Sequence, residues 1–128
     1  YNLTDVVLIT GGGNCSDTPE LFLPSSGLTC SLPRLPEARY GHNVESSGLL
    51  CGGGESGTTD DSCLKWSPDN GTWEEYLSLD VGRHDHVSWT PDTGVGTYLM
   101  GGDYSQRTTT LMRPDGTQEP GFPLKYDT

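Results

Sequence analysis

The 128-residue sequence is poor in cations: 7 Lys and Arg stand against 18 Asp and Glu, for a net charge of −11. A nucleic-acid binder needs a basic footprint to neutralise phosphates, and anionic headgroups make the same demand. Neither partner class is expected. No apolar run approaches the roughly 20 residues of a membrane-spanning helix, so membrane insertion is not expected either. No basic stretch leads into an apolar one as in a signal peptide. The ending Lys125-Tyr126-Asp127-Thr128 carries no lipidation or retention signal. Helical patterning is also missing: no window of about eleven residues shows an apolar period of 3.6. Hydrophobic residues make up only 31%, while the 18 Gly and 9 Pro punctuate the chain too often for a coiled coil.

Cysteine is sparse but even in number: Cys15, Cys30, Cys51 and Cys63, with no CxxC pair. Zinc sites bring cysteine ligands in such close pairs, and redox thiols need them or a basic neighbourhood, so neither role is expected. Three of the four Asn stand in glycosylation sequons: Asn2-Leu3-Thr4, Asn14-Cys15-Ser16 and Asn70-Gly71-Thr72. Chance would place roughly 0.8 of four there. Sequons beside an even set of Cys point to the secretory pathway and an extracellular protein with N-linked glycans. Asn70 lies in an expected hairpin turn, where a glycan meets no obstacle.

What the chain does have is repetition. Apolar runs end in glycine clusters three times: Val6–Gly13, Leu49–Gly54 and Tyr98–Gly102. The clusters start 41 and 49 residues apart. A turn marker keeps the same phase in Pro24-Ser25-Ser26-Gly27, Pro68-Asp69-Asn70-Gly71 and Pro114-Asp115-Gly116, with prolines 44 and 46 apart. A third marker pairs Arg39-Tyr40-Gly41-His42 with Arg83-His84-Asp85-His86, 44 apart. Three markers in fixed order define a unit of about 45 residues. Each unit reads as short strands of Val, Ile, Leu, Tyr, Trp and Thr joined by Pro-Asp-Gly-type turns. The middle unit gives strands at about His42–Glu45, Gly48–Gly52, Ser62–Trp66 and Thr72–Tyr76. The third repeats this from Val87 to Leu124, with a longer first hairpin. The first begins at a second strand, Asp5–Thr10, followed by Leu21–Leu23 and Thr29–Leu32.

A four-stranded unit of this length with a double glycine ending strand two resembles the kelch repeat, one blade of a β-propeller. The matching residues are Arg39, His42, Gly52, Gly53, Gly71 and Trp73, then Arg83, His86, Gly101, Gly102 and Gly116. The cysteine-bearing blades are similar, more loosely, to large secreted kelch proteins of invertebrates. Two departures stand out: the family's Tyr after the double glycine has no clean match in the third unit, and the Trp position holds Cys30 in the first and Gln118 in the third. There, packing is expected to rest on other residues such as Phe122 and Leu124. The resemblance implies all-β blades of four antiparallel strands, divided as 1–38 (an incomplete first blade), 39–82, and 83–128 with a lead into another unit. A closed propeller takes four to eight blades, and 128 residues supply roughly 2.8, so the ring needs a longer chain or several chains in a ring or filament.

The residues suggest specific roles. The double glycines suit crowding by neighbouring blades, and Trp73 suits an anchor between them, with Trp66 and Trp89 also between sheets unless Trp89 sits exposed by its hairpin. Cys51 and Cys63 flank strands two and three, a natural disulfide; Cys15 and Cys30 are left to pair likewise, or Cys30 with a cysteine outside this chain. His42, His84 and His86 invite a zinc or copper reading, and His84 and His86 share one strand face, but His42 and His86 hold the repeat's own position, so structural hydrogen bonding is expected of them. No metal, cofactor or catalytic set is expected: no nucleophile–His–acid order is credible, no phosphate loop exists, and the acid pairs Asp60-Asp61 and Glu74-Glu75 have no fixed separation. The loop Glu55–Asp61 lacks EF-hand spacing, leaving at most weak calcium binding. The kelch fold also hosts copper oxidases resembling galactose oxidase, whose chemistry needs a Tyr–Cys crosslink and two His; no such set is placeable in this sequence. The reading is therefore a non-enzymatic extracellular scaffold for a protein or glycan partner, or a structural component of an extracellular assembly. The alternatives are such an oxidase, or a lectin-like module using an exposed Trp89 or Tyr104.

Overall fold

The computed structural model describes residues 6–11, 17–45, 48–54, 59–103 and 107–125. Every regular element among them is a strand, and they form three antiparallel sheets. The first sheet runs β1 (Val7–Ile9), β2 (Glu20–Leu23), β3 (Leu28–Ser31). The second runs β4 (Tyr40–Val44), β5 (Leu50–Gly54), β6 (Ser62–Ser67), β7 (Thr72–Ser78). The third runs β8 (Val87–Trp89), β9 (Thr97–Met100), β10 (Thr109–Met112), β11 (Gln118–Pro120). Each sheet is a meander in which consecutive strands pair, as short runs joined by Gly-bearing turns dictate. No helix among the described residues is long and apolar enough to cross a membrane.

The sheets stack face to face, with apolar layers between them. One layer holds Leu50, Leu64 and Trp73 of the second sheet against Leu8 of the first, with Leu32 and Leu35 from the segment that joins the two. The other holds Cys51, Cys63 and Leu79 against Leu99 and Met112 of the third. Successive side chains of a strand point to opposite faces, so β5 feeds Leu50 to one layer and Cys51 to the other. The middle sheet is thereby covered on both sides. The first strands of the second and third sheets, β4 and β8, also meet: Asn43 donates to the His86 carbonyl at 3.1 Å and accepts from Ser88 at 3.0 Å.

The same bonds recur one unit apart. Leu35 donates its backbone N–H to Asp17, and Leu79 donates to Asp61. Both leucines are buried, in corresponding apolar layers. Trp73 Nε1 reaches back 40 residues to the Pro33 carbonyl at 3.1 Å. Gln118 reaches back 40 residues to the Ser78 carbonyl at 2.7 Å, and accepts from the Asp80 N–H at 2.8 Å. An amide thus joins the third sheet to the second where an indole joins the second to the first.

Several details differ from the sequence reading. Strand β5 continues two residues past Gly52, because Gly54 pairs with Tyr40 and draws the start of β4 back to that residue. Phe122 does not replace the missing Trp: it is 45% exposed, and its ring leans on Tyr98. Trp66 packs against Trp73 beside Leu8 and Leu32 as expected, and of the two placements open to Trp89 the exposed one holds, 54% exposed on the outer face of the third sheet.

Candidate functional site

The seam between the second and third sheets gathers most of the polar chemistry. The buried Arg83 stands at it, and the buried Arg39 is its counterpart within the second sheet. Arg39 donates to the carbonyls of Gly52 (3.1 Å) and Ser62 (3.3 Å) and to the Ser62 hydroxyl (3.0 Å), with Asp60 at 3.1 Å as counter-charge. Arg83 donates to the carbonyls of Gly101 (2.8 Å) and Thr108 (3.1 Å) and to the hydroxyls of Thr108 and Thr110. Each guanidinium thus ties the end of its sheet's second strand to the third strand or the residues that lead into it. A guanidinium has five donors in a fixed fork, which suits satisfying several oxygens at once.

Arg83 also touches its neighbour: its carbonyl accepts from Gly53 N–H at 2.7 Å. A Cβ at Gly52, whose φ is +70°, would lie 2.3 Å from that carbonyl oxygen. Only glycine permits this approach. Crowding by the neighbouring sheet accounts for Gly52; Gly53 and Gly102 are instead pressed by the first segments of their own sheets, at Tyr40 and His84. Gly101 is buried with φ +66° at the end of β9, where Arg83 holds its carbonyl.

The histidines fill the seams. His42 lies against Gly11 of the first sheet, and its Nε2 bonds the Thr10 hydroxyl. His86 lies against Gly52 of the second sheet, where the residue corresponding to Thr10 is the disulfide-bonded Cys51. Cys51 offers no hydroxyl, and neither ring nitrogen of His86 has a hydrogen-bond partner among the described residues. Burial, with the Arg83 charge second, lowers the His86 pKa to about 4. Burial, then Arg39, lowers that of His42. Both rings are therefore neutral at pH 7. Beside them Glu45 is 2% exposed, and burial raises its pKa to about 7. The Ser88 hydroxyl offsets part of that rise, but its proton goes to Asn43, and neither Glu45 oxygen has a partner of good geometry among the described residues.

At the open edge of this seam His84, Asp85 and Asp103 come together, with one ligand atom from each within 4.8 Å of the others. His84 is buried and the two acids are exposed. Backbone geometry brings them together: His84 and Asp103 form an antiparallel bridge, and Asp85 N–H donates to the Gly41 carbonyl at 2.7 Å. The sequence reading weighed a metal role for His84 against a structural one, preferred the structural one, and gave Asp85 and Asp103 no role. The visible signal was a carboxylate directly after the double glycine, 19 residues beyond His84.

Cys51 and Cys63 are direct register partners on β5 and β6 and form a disulfide. Cys30 is exposed on β3 and unbonded among the described residues; Cys15, one of the two partners left open for it, lies outside them, as do Asn2, Asn14 and Tyr104. Asn70 stands exposed in the β6–β7 turn, its Nδ2 donating to Glu74 at 2.6 Å. On the outer side, a cleft of about 340 Å³ lies between the second and third sheets, lined by Lys65, Tyr76, Leu77, Thr97, Met112 and Arg113 among others.

No protein-family model matches the chain, and no curated protein sequence does. Solved structures do match. One is a fungal alcohol oxidase of the AA5 family, described as having catalytic diversity and solved in complex with copper. It is 16% identical with a TM-score of 0.66, and the match covers 96% of this chain but 30% of the oxidase. The likeness is one of fold.

Proposed function

We propose that the chain is a three-blade arc of a kelch-type β-propeller that serves as a non-enzymatic extracellular scaffold for a protein or glycan partner, or as a structural component of an extracellular assembly. One observation carries this reading: the recurring Arg and His side chains and the glycines beside them are engaged in holding sheets and seams, and the outer faces of the first and third sheets carry exposed apolar side chains. Val7 and Ile9 are about half exposed on the outer face of the first sheet, and Val87 and Trp89 on that of the third. Repeat architectures bury such faces against the next unit. Further sheets of the same kind, from this chain or a second copy, fit there.

The copper-oxidase alternative requires a Tyr joined to a Cys beside two His. Cys51 and Cys63 are bonded to each other, Cys30 is exposed in the first sheet, and His42 and His86 are packed within seams. The described residues do not fit that group. A lectin-like reading has one favourable feature: the exposed Trp89 ring stacks on Tyr98 at 5.7 Å, a flat platform of the type that receives a sugar face.

The deciding experiment is intact mass under non-reducing conditions, before and after deglycosylation. A mass drop on glycosidase treatment supports the extracellular reading, and no change overturns it. A subunit near 13.8 kDa plus glycan points to closure by assembly, and a much larger one to a whole propeller in one chain. Glycan-array binding abolished by Trp89→Ala would move the assignment to the lectin-like module.

A further inference from the structure

We propose that His84, Asp85 and Asp103 form a binding site for a zinc-type divalent cation at the seam between the second and third sheets. One imidazole and two carboxylates are the donor set of a borderline cation; calcium and magnesium prefer oxygen alone. An acid cluster by itself would carry little, but His84 adds an independent sign. It is 7% exposed, and its Nδ1 is buried without a hydrogen bond of acceptable geometry among the described residues. Asp85 Oδ2 lies 2.9 Å from that nitrogen but is not aligned to accept a proton from it. A buried ring nitrogen left in this state is costly unless something else uses its lone pair.

The surroundings hold the ring in place. Tyr40 packs edge-on against it, with centroids 4.8 Å apart. A Cβ at Gly41 would approach His84 Nε2 to 2.7 Å and Asp85 Oδ1 to 2.8 Å, so the second sheet presses directly on two of the three ligands. The buried imidazole is the fixed donor. The two exposed carboxylates supply the movement that contracts a 4.8 Å cluster onto bonds of about 2.0–2.2 Å. Three protein ligands leave a fourth position facing solvent, for water or a donor from a partner. The ion would fasten the segment entering β8 to the chain leaving β9. Two carboxylates balance its charge.

The test is calorimetric titration of Zn²⁺ into the metal-free chain, with Asp103→Asn and His84→Gln beside it and the distant Asp115→Asn as control. The expected result is one Zn²⁺ per chain with a Kd of about 10 µM or tighter, weakened at least about tenfold by Asp103→Asn and His84→Gln and unchanged by Asp115→Asn. Asp103 is exposed, so its variant should keep the wild-type melting temperature in chelator and separate ligation from folding. Absence of stoichiometric binding, equal binding by Asp103→Asn, or displacement by millimolar Ca²⁺ would each overturn the assignment. In the first case the His84–Asp85 contact is a pairing of two side chains and nothing more.

Discussion

Arg39 and Arg83 occupy corresponding places, yet their surroundings differ. Arg39 has the Asp60 carboxylate at 3.1 Å, whereas the bonds Arg83 makes among the described residues go to carbonyl and hydroxyl oxygens. Removing a buried donor leaves its acceptors dry and unpaired. Arg83→Met should therefore cost about 3 kcal/mol or more in urea unfolding, because the Gly101 carbonyl and the Thr110 hydroxyl lose a buried partner. Glu45 predicts a pH effect of defined sign. Below pH 4.5 its carboxyl is protonated whether the chain is folded or not. Between 4.5 and about 7 the unfolded chain releases the proton while the folded chain keeps it, so stability falls as pH rises. Glu45→Gln should match wild type near pH 4 and exceed it by about 3 kcal/mol at pH 8, as read by denaturation at the two pH values.

Strands carry the clearest correspondence between sequence and structure. Short apolar or aromatic runs ended by turn residues mark the strands of the second sheet, because local propensity and turn chemistry agree there. Pairing decides the ends: nothing local to Gly53 and Gly54 says that they extend β5, since their partner is Tyr40 across the sheet. The candidate site was less legible for the same reason. His84 and Asp103 meet only through a bridge between distant segments, and the exposed acids resemble solvated loop residues until that bridge forms. Gln118 looked like a lapse in the pattern, yet it makes the 40-residue reach that Trp73 makes, by amide hydrogen bonds instead of aromatic packing. The two should differ in cost. Trp73→Ala empties a buried aromatic site and should destabilise by about 3–5 kcal/mol, and Gln118→Ala by about 1 kcal/mol, since its bonds are exposed. Chemical denaturation of both variants checks the ratio.

At the scale of the whole molecule, the middle sheet is sandwiched and the outer two are each covered on one face. An uncovered apolar face drives association. Ile9→Lys and Val87→Lys, both at half-exposed positions, should reduce concentration-dependent self-association in light scattering while shifting the melting temperature little. A fall in stability as large as the loss of association would instead assign these side chains to the fold itself. The disulfide has a consequence of another kind. Cys51 and Cys63 stand 12 residues apart in sequence, on neighbouring strands of the sheet that both others lean on. A chain pulled from its two ends cannot draw out the loop between them. Its stretched length should fall about 35–40 Å short of the reduced chain's in a single-molecule pulling trace. Thiol reductant then becomes a dial on extensibility, lengthening the tether without removing a residue.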